Sequence, residues 1–124
     1  MNIKCGTDII EVKRIEDAII KSNNKFLNEV FTDEEIEYCN SRGISKYQHY
    51  AARFAAKEAI FKAASCMLEK KSDLTWKDAK ILNKPDGKPY VILNKNKIKQ
   101  DIDIDISLSH IKEYAIANCI IIFK

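Results

Sequence analysis

The stretch Ala52-Arg53-Phe54-Ala55-Ala56-Lys57-Glu58-Ala59-Ile60-Phe61-Lys62-Ala63 decides the architecture. It lies inside a run from about 46 to 69 that is rich in Ala and free of Gly and Pro, as a long helix requires. Phe54, Glu58, Phe61, Ser65 and Leu68 recur at steps of four and three, so they share one helical face. That face is apolar except for Ser65 and the carboxylate in its middle. A carboxylate among apolar neighbours needs a cation or a proton. Lys62, four residues on, is placed to pair with it. The other reading is that Glu58 is an ordinary surface residue and the stripe faces a shallow groove.

Toward the N-terminus, Thr32-Asp33-Glu34-Glu35 is a capping box that starts a helix of about 33–41, stopped near Gly43. Residues 25–31 carry Phe26, Leu27, Val30 and Phe31 and read as a turn or short helix. Asn23-Asn24 ends a helix of about 11–21, with Val12, Ile15 and Ile19 inward and Lys13, Arg14, Asp17 and Lys21 toward solvent. Residues 2–9 alternate Ile3, Cys5, Thr7 and Ile9 with polar or small residues, a strand pattern. Toward the C-terminus, Ser72-Asp73 opens a loop around Trp76. Residues 79–83 and 89–93 flank Lys84-Pro85-Asp86-Gly87-Lys88, a hairpin with Asp-Gly in its turn. Residues 102–108 alternate apolar and polar, and residues 114–123 read as a well-buried strand. Helices early and strands late imply an α+β fold, an antiparallel sheet packed with a long central helix and shorter N-terminal helices. The length favours a single domain over 1–124.

Composition narrows the function. Hydrophobic residues make up 46% and charged residues 31%, a globular balance. The net charge of +3 permits an acidic partner, but no basic run with interleaved aromatics points to nucleic acid. No segment is long and apolar enough to span a membrane, and Met1-Asn2-Ile3-Lys4 does not open a signal peptide. Cys5, Cys39, Cys66 and Cys119 show no CxxC spacing and read as reduced thiols of a cytoplasmic protein.

Asp8 lies at the end of the first strand. Asp8-Ile9-Ile10-Glu11 suits a helix cap. Equally, Asp8 and Glu58, on different elements, suit one hard cation such as Mg²⁺, which takes one or two protein carboxylates and fills its shell with water and phosphate oxygens. Arg53 and Lys57, with Lys62 on the Glu58 side, suit a phosphorylated ligand or are solvated helix charges. Ser107-Leu108-Ser109-His110 suits a phosphate site or a polar turn.

Five blocks, taken in order, resemble one family. These are the residues from Gly6-Thr7-Asp8-Ile9-Ile10-Glu11 to Val12-Lys13-Arg14-Ile15; Phe31-Thr32 with Glu34-Glu35-Ile36 and Tyr38-Cys39; the central helix from Ala52 to Ala63; Gly87-Lys88-Pro89-Tyr90; and Ser107-Leu108-Ser109-His110 with Lys112-Glu113-Tyr114-Ala115. The set is similar to holo-acyl-carrier-protein synthases of the phosphopantetheinyl transferase superfamily. One departure is visible: Lys4-Cys5-Gly6 stands where the family usually has Gly-Ile-Gly.

The resemblance implies transfer of the 4′-phosphopantetheine arm of coenzyme A to a serine of apo-acyl carrier protein, in fatty acid biosynthesis, with release of adenosine 3′,5′-bisphosphate. It implies Mg²⁺ on Asp8 and Glu58, with Glu58 as base, directly or through a metal-bound water, and Lys62 toward the leaving phosphate. Arg53, Lys57, Lys88, Pro89, Ser109 and His110 would hold the nucleotide end. Lys13, Arg14 and Lys21 would meet the acidic carrier, with Phe26 as an apolar contact. The short members resemble homotrimers with interfacial sites. Two rival classes are a nonenzymatic binding module and a Mg²⁺-dependent hydrolase; no Walker-type glycine loop supports the latter.

Overall fold

Small residues determine how closely the central helix lies on the sheet. The structure, a computed structural model, describes residues 2–68 and 74–124. The elements run β1 (Asn2–Glu11), α1 (Val12–Lys21), α2 (Lys25–Val30), α3 (Asp33–Asn40), α4 (Lys46–Ala64), β2 (Ala79–Asn83), β3 (Pro89–Leu93), β4 (Ile102–His110) and β5 (Tyr114–Phe123). The order β1-β5-β4 forms one antiparallel sheet, and β2 and β3 form a separate hairpin. This is the expected α+β architecture.

Ala55, Ala56, Ala59, Ala63 and Ala64 of α4 are buried with Ala117, Cys119 and Ile121 of β5. Gly6 permits the closest approach: a Cβ built there would sit 2.0 Å from the Ala59 carbonyl oxygen. This backbone contact cannot yield cheaply, so only glycine fits. A second cluster, around Phe31, Cys39 and Tyr50, seats α1, α2 and α3 against the first half of α4.

The Thr32–Glu35 capping box forms, and Asn23 and Asn24 end α1 in left-handed backbone, φ 54° and 69°. The Asp8 cap does not form. β1 runs on to Glu11, and Asp8 sits mid-strand opposite Ala117. The well-buried β5 is half correct: Ala115, Ala117, Cys119 and Ile121 face α4, while Tyr114, Ile116, Asn118 and Ile120 face outward. On β1, likewise, Ile3, Cys5, Thr7 and Ile9 form the exposed face, and Gly6, Asp8 and Ile10 face α4. The long helix expected over about 46–69 ends earlier: α4 stops at Ala64, a tighter turn follows over Ser65–Met67, and Leu68 is extended; residue 69 and the Ser72-Asp73 loop lie outside the described residues. The turn Trp76–Asp78 follows that gap.

Candidate active site

The pleat of β1 puts Asp8 two residues from Gly6 and on the same face, so the close Gly6 crossing delivers its carboxylate to α4. There Lys62 donates to Asp8 Oδ1 at 3.2 Å and to the Thr7 carbonyl at 2.9 Å. The expected Glu58–Lys62 pair is thus replaced by an Asp8–Lys62 pair. Burial raises the Glu58 carboxyl above its ordinary range, and the nearby Asp8 charge adds to this; the Lys62 ammonium opposes both. Glu58, Phe61, Lys62, Ser65, Leu68 and Leu74 line a cleft of about 390 Å³. The stripe from Glu58 to Leu68 therefore does face a groove, with the Glu58 carboxylate and Lys62 in its lining.

Like charges held together beside an apolar wall are unfavourable unless a cation joins them. Asp8 and Glu58 therefore fit a hard divalent ion that takes two protein oxygens and leaves positions for phosphate. Among the described residues no cluster of three or more His, Cys, Asp or Glu forms a fuller cage.

The nucleotide-side candidates divide. Lys57 is fully buried, and its ammonium donates to Glu35 Oε1, Val30 O and Trp76 O, each at 2.9 Å. All three of its donors are used, so the expected ligand contact from Lys57 is corrected: it has no surface to offer. Arg53 is 2% exposed, lies over the Tyr38 ring at 4.1 Å and bonds Asn83, while its Nε has no partner. Lys88, half-exposed, pairs with Asp105 at 3.3 Å, and Pro89 opens β3. Ser109 points outward from the sheet, on the opposite face from Asp8. His110 faces α4, with Nδ1 2.8 Å from Gln48 Oε1 and its ring 4.9 Å from that of His49. Gln48 precedes Glu58 by ten residues, about 15 Å along a helix. One chain thus keeps its carboxylates well apart from its His110 end.

On α1, Arg14 and Lys21 are exposed. Lys13 is committed to Glu16 and Asp17, which raise its pKa, so it is not the free charge expected. Phe26 is half-buried, edge-on to Phe31 and 5.9 Å from Phe54, and packs inward more than expected.

Sequence reasoning passed over Glu35, Trp76 and His49. Glu35 was visible only as a cap. His49 is held down to about 4, by burial first and then by His110, Arg53 and Arg42; nothing in its neighbours along the chain signals that.

The profile of the 4′-phosphopantetheinyl transferase superfamily matches residues 4–119. The chain belongs to that superfamily. It is 47% identical to a holo-[acyl-carrier-protein] synthase of Ruminiclostridium cellulolyticum, over 98% of this chain and 92% of that one. It is 43% identical to one from Thermoanaerobacter sp., over 98% and 88%. Among solved structures, a synthase of Bacillus anthracis in complex with CoA (3′,5′-ADP) is 31% identical with TM-score 0.76, covering 95% of this chain and 94% of that one. The Chronobacterium ammoniagenes ACPS-CoA complex, at 23% identity, shares the fold with TM-score 0.87, covering 100% and 99%. Membership makes the chain an enzyme, a phosphopantetheinyl transferase.

Proposed function

We propose that the chain transfers the 4′-phosphopantetheine arm of coenzyme A to a serine of apo-acyl carrier protein, serving fatty acid synthesis. The single observation that carries the reading is the Asp8–Glu58–Lys62 arrangement at the mouth of an apolar cleft. The relatives' names and the coenzyme A complexes supply the substrates.

Asp8 and Glu58 would hold Mg²⁺, which, when bound, neutralises charge on the pyrophosphate oxygens and aligns the displacement. Glu58 takes the serine proton. A positioned carboxylate in reach of the serine hydroxyl, directly or through a metal-bound water, suits that step. The serine oxygen attacks the β-phosphorus, and the bond to the bridging oxygen breaks. Lys62, 54% exposed at its side chain and held by Asp8, supplies positive charge and a proton to the departing phosphate. The apolar wall of Phe61, Leu68 and Leu74 keeps water from competing. Lys88, Pro89, Ser109, His110 and Arg53 are assigned to the nucleotide end, with Arg14 and Lys21 to the carrier.

The same reading makes the enzyme a homotrimer. Ile3, Ile9, Ile116 and Ile120 are 58%, 64%, 37% and 49% exposed on one sheet face. Monomeric proteins rarely leave so contiguous an apolar face open. A second copy there would also bring Ser109, which points outward, to a neighbour's site. The four free thiols suit a cytoplasmic location; no helix among the described residues is long and apolar enough to cross a membrane.

Incubation with apo carrier protein and coenzyme A, with and without Mg²⁺, tests the reading by mass spectrometry. A phosphopantetheine mass increment on the carrier serine that needs Mg²⁺ is expected; a carrier left unmodified overturns it. Light scattering should give about three times the 14.3 kDa chain mass, and a fully active monomer refutes the shared site.

A further inference from the structure

Lys57 and Glu35 form a fully buried, hydrogen-bonded ion pair. Both side chains are 0% exposed. Glu35 Oε1 accepts from the Thr32 amide at 2.8 Å and from Lys57, while Oε2 accepts from the Ile81 amide at 2.9 Å. Lys57 in turn holds the carbonyls of Val30 and Trp76. The couple thereby ties the end of α2, the start of α3, the middle of α4, the Trp76 turn and β2 to one point.

What that point holds is the wall of the cleft. The Trp76 ring stacks on Phe54 at 4.9 Å and 28°, and lies 5.2 Å from Phe61. Phe61 lines the cleft with Glu58 and Lys62. Glu58 is the residue after Lys57, so the backbone that carries the base is pinned from behind by the ammonium.

We infer that Lys57 and Glu35 are positioning residues for the transfer reaction, which set the Glu58 turn and the Trp76–Phe61 wall, and that neither touches coenzyme A. This rests on the reading of Asp8, Glu58 and Lys62 given above. A fully buried ion pair that has lost no donor costs more to remove in one half than as a whole, because the remaining charge stays buried. The test therefore pairs Lys57→Met with the double change Lys57→Met/Glu35→Gln, which removes both charges.

Steady-state kinetics and the emission of Trp76, the one tryptophan, are measured together. In the double variant kcat should fall about 10²-fold, as for a misplaced catalytic group. The KM for coenzyme A should stay within about twofold, and Trp76 emission should shift to the red as its ring loosens. A raised KM at unchanged kcat would make Lys57 a ligand and overturn the inference. Unchanged kcat and emission would make the pair a spectator and overturn it equally. Wild-type protein supplies an independent arm: an amine-reactive reagent should leave Lys57 unmodified with or without coenzyme A. Labelling of Lys57 that coenzyme A blocks also overturns the inference. If wild type transfers nothing, the proposed function falls, and emission with footprinting still decides the role of the pair.

Discussion

Lys57 and Glu58 are neighbours in the chain and live in different physical worlds. About 100° of helix rotation separates them. Lys57 points into the protein, where every hydrogen of its ammonium meets an oxygen and Glu35 balances its charge. Glu58 points to the cleft, where burial and the Asp8 charge both disfavour its ionised form. The first arrangement maximises local satisfaction. The second leaves a charge conflict unresolved, and in the proposed function a cation would relieve it. The two charges on one helix are thus told apart by whether their hydrogen-bonding capacity is filled.

The largest expected effect tests the Glu58 side. Glu58→Gln should slow transfer by about 10²–10⁴-fold, the usual contribution of a positioned base, while the melting temperature holds or rises. The sign follows from linkage. A carboxyl raised on folding stabilises the fold while protonated and loses that contribution as pH rises through its folded value. At neutral pH Glu58 is thus a burden that glutamine removes. Transfer by the wild type should likewise decline at acid pH, where protonated Glu58 can neither accept the serine proton nor hold a cation. A thermal melt showing a marked loss of stability in Glu58→Gln, with transfer retained, would erase the contrast.

Lys57→Met should do the reverse to stability, lowering it by about 3–5 kcal/mol in urea unfolding because Glu35 is left buried and unpaired. A neutral result would mean water reaches that site. Gly6→Ala should cost about 1–3 kcal/mol from overpacking against Ala59, and should also slow transfer, since the Asp8 carboxylate would be pushed from α4. Full activity at reduced stability would show that the Asp8 spacing is not critical. Arg14→Glu is the mildest. The KM for carrier protein should rise about tenfold and lose much of its salt dependence, with stability changed by less than about 0.5 kcal/mol. An unchanged KM at two salt concentrations would remove α1 from the carrier contact.

Much of the site was legible because it is written locally. The steps Phe54, Glu58 and Phe61 place a carboxylate on an apolar helical face, and Asp-Gly at 86–87 marks its hairpin. The Asp8 cap failed because a box of that spacing is satisfied only where a helix starts, and pairing with β5 carried β1 on to Glu11. Lys57 was misread because a lysine in a helix is usually solvated; the Val30 carbonyl, Glu35 and Trp76 that absorb its charge come from three other segments.

By itself the sequence determined most element types, the carboxylate on the central helix and the family, since helical period, strand alternation and turn chemistry depend on neighbours along the chain. Only the tertiary structure decided which charges are partnered. It assigned Lys62 to Asp8 rather than Glu58, buried Lys57 with Glu35, and turned Ile3, Ile9, Ile116 and Ile120 outward. Burial and pairing depend on contacts between residues distant in sequence, and a period of two names the apolar face of a strand without saying whether α4 or solvent lies against it.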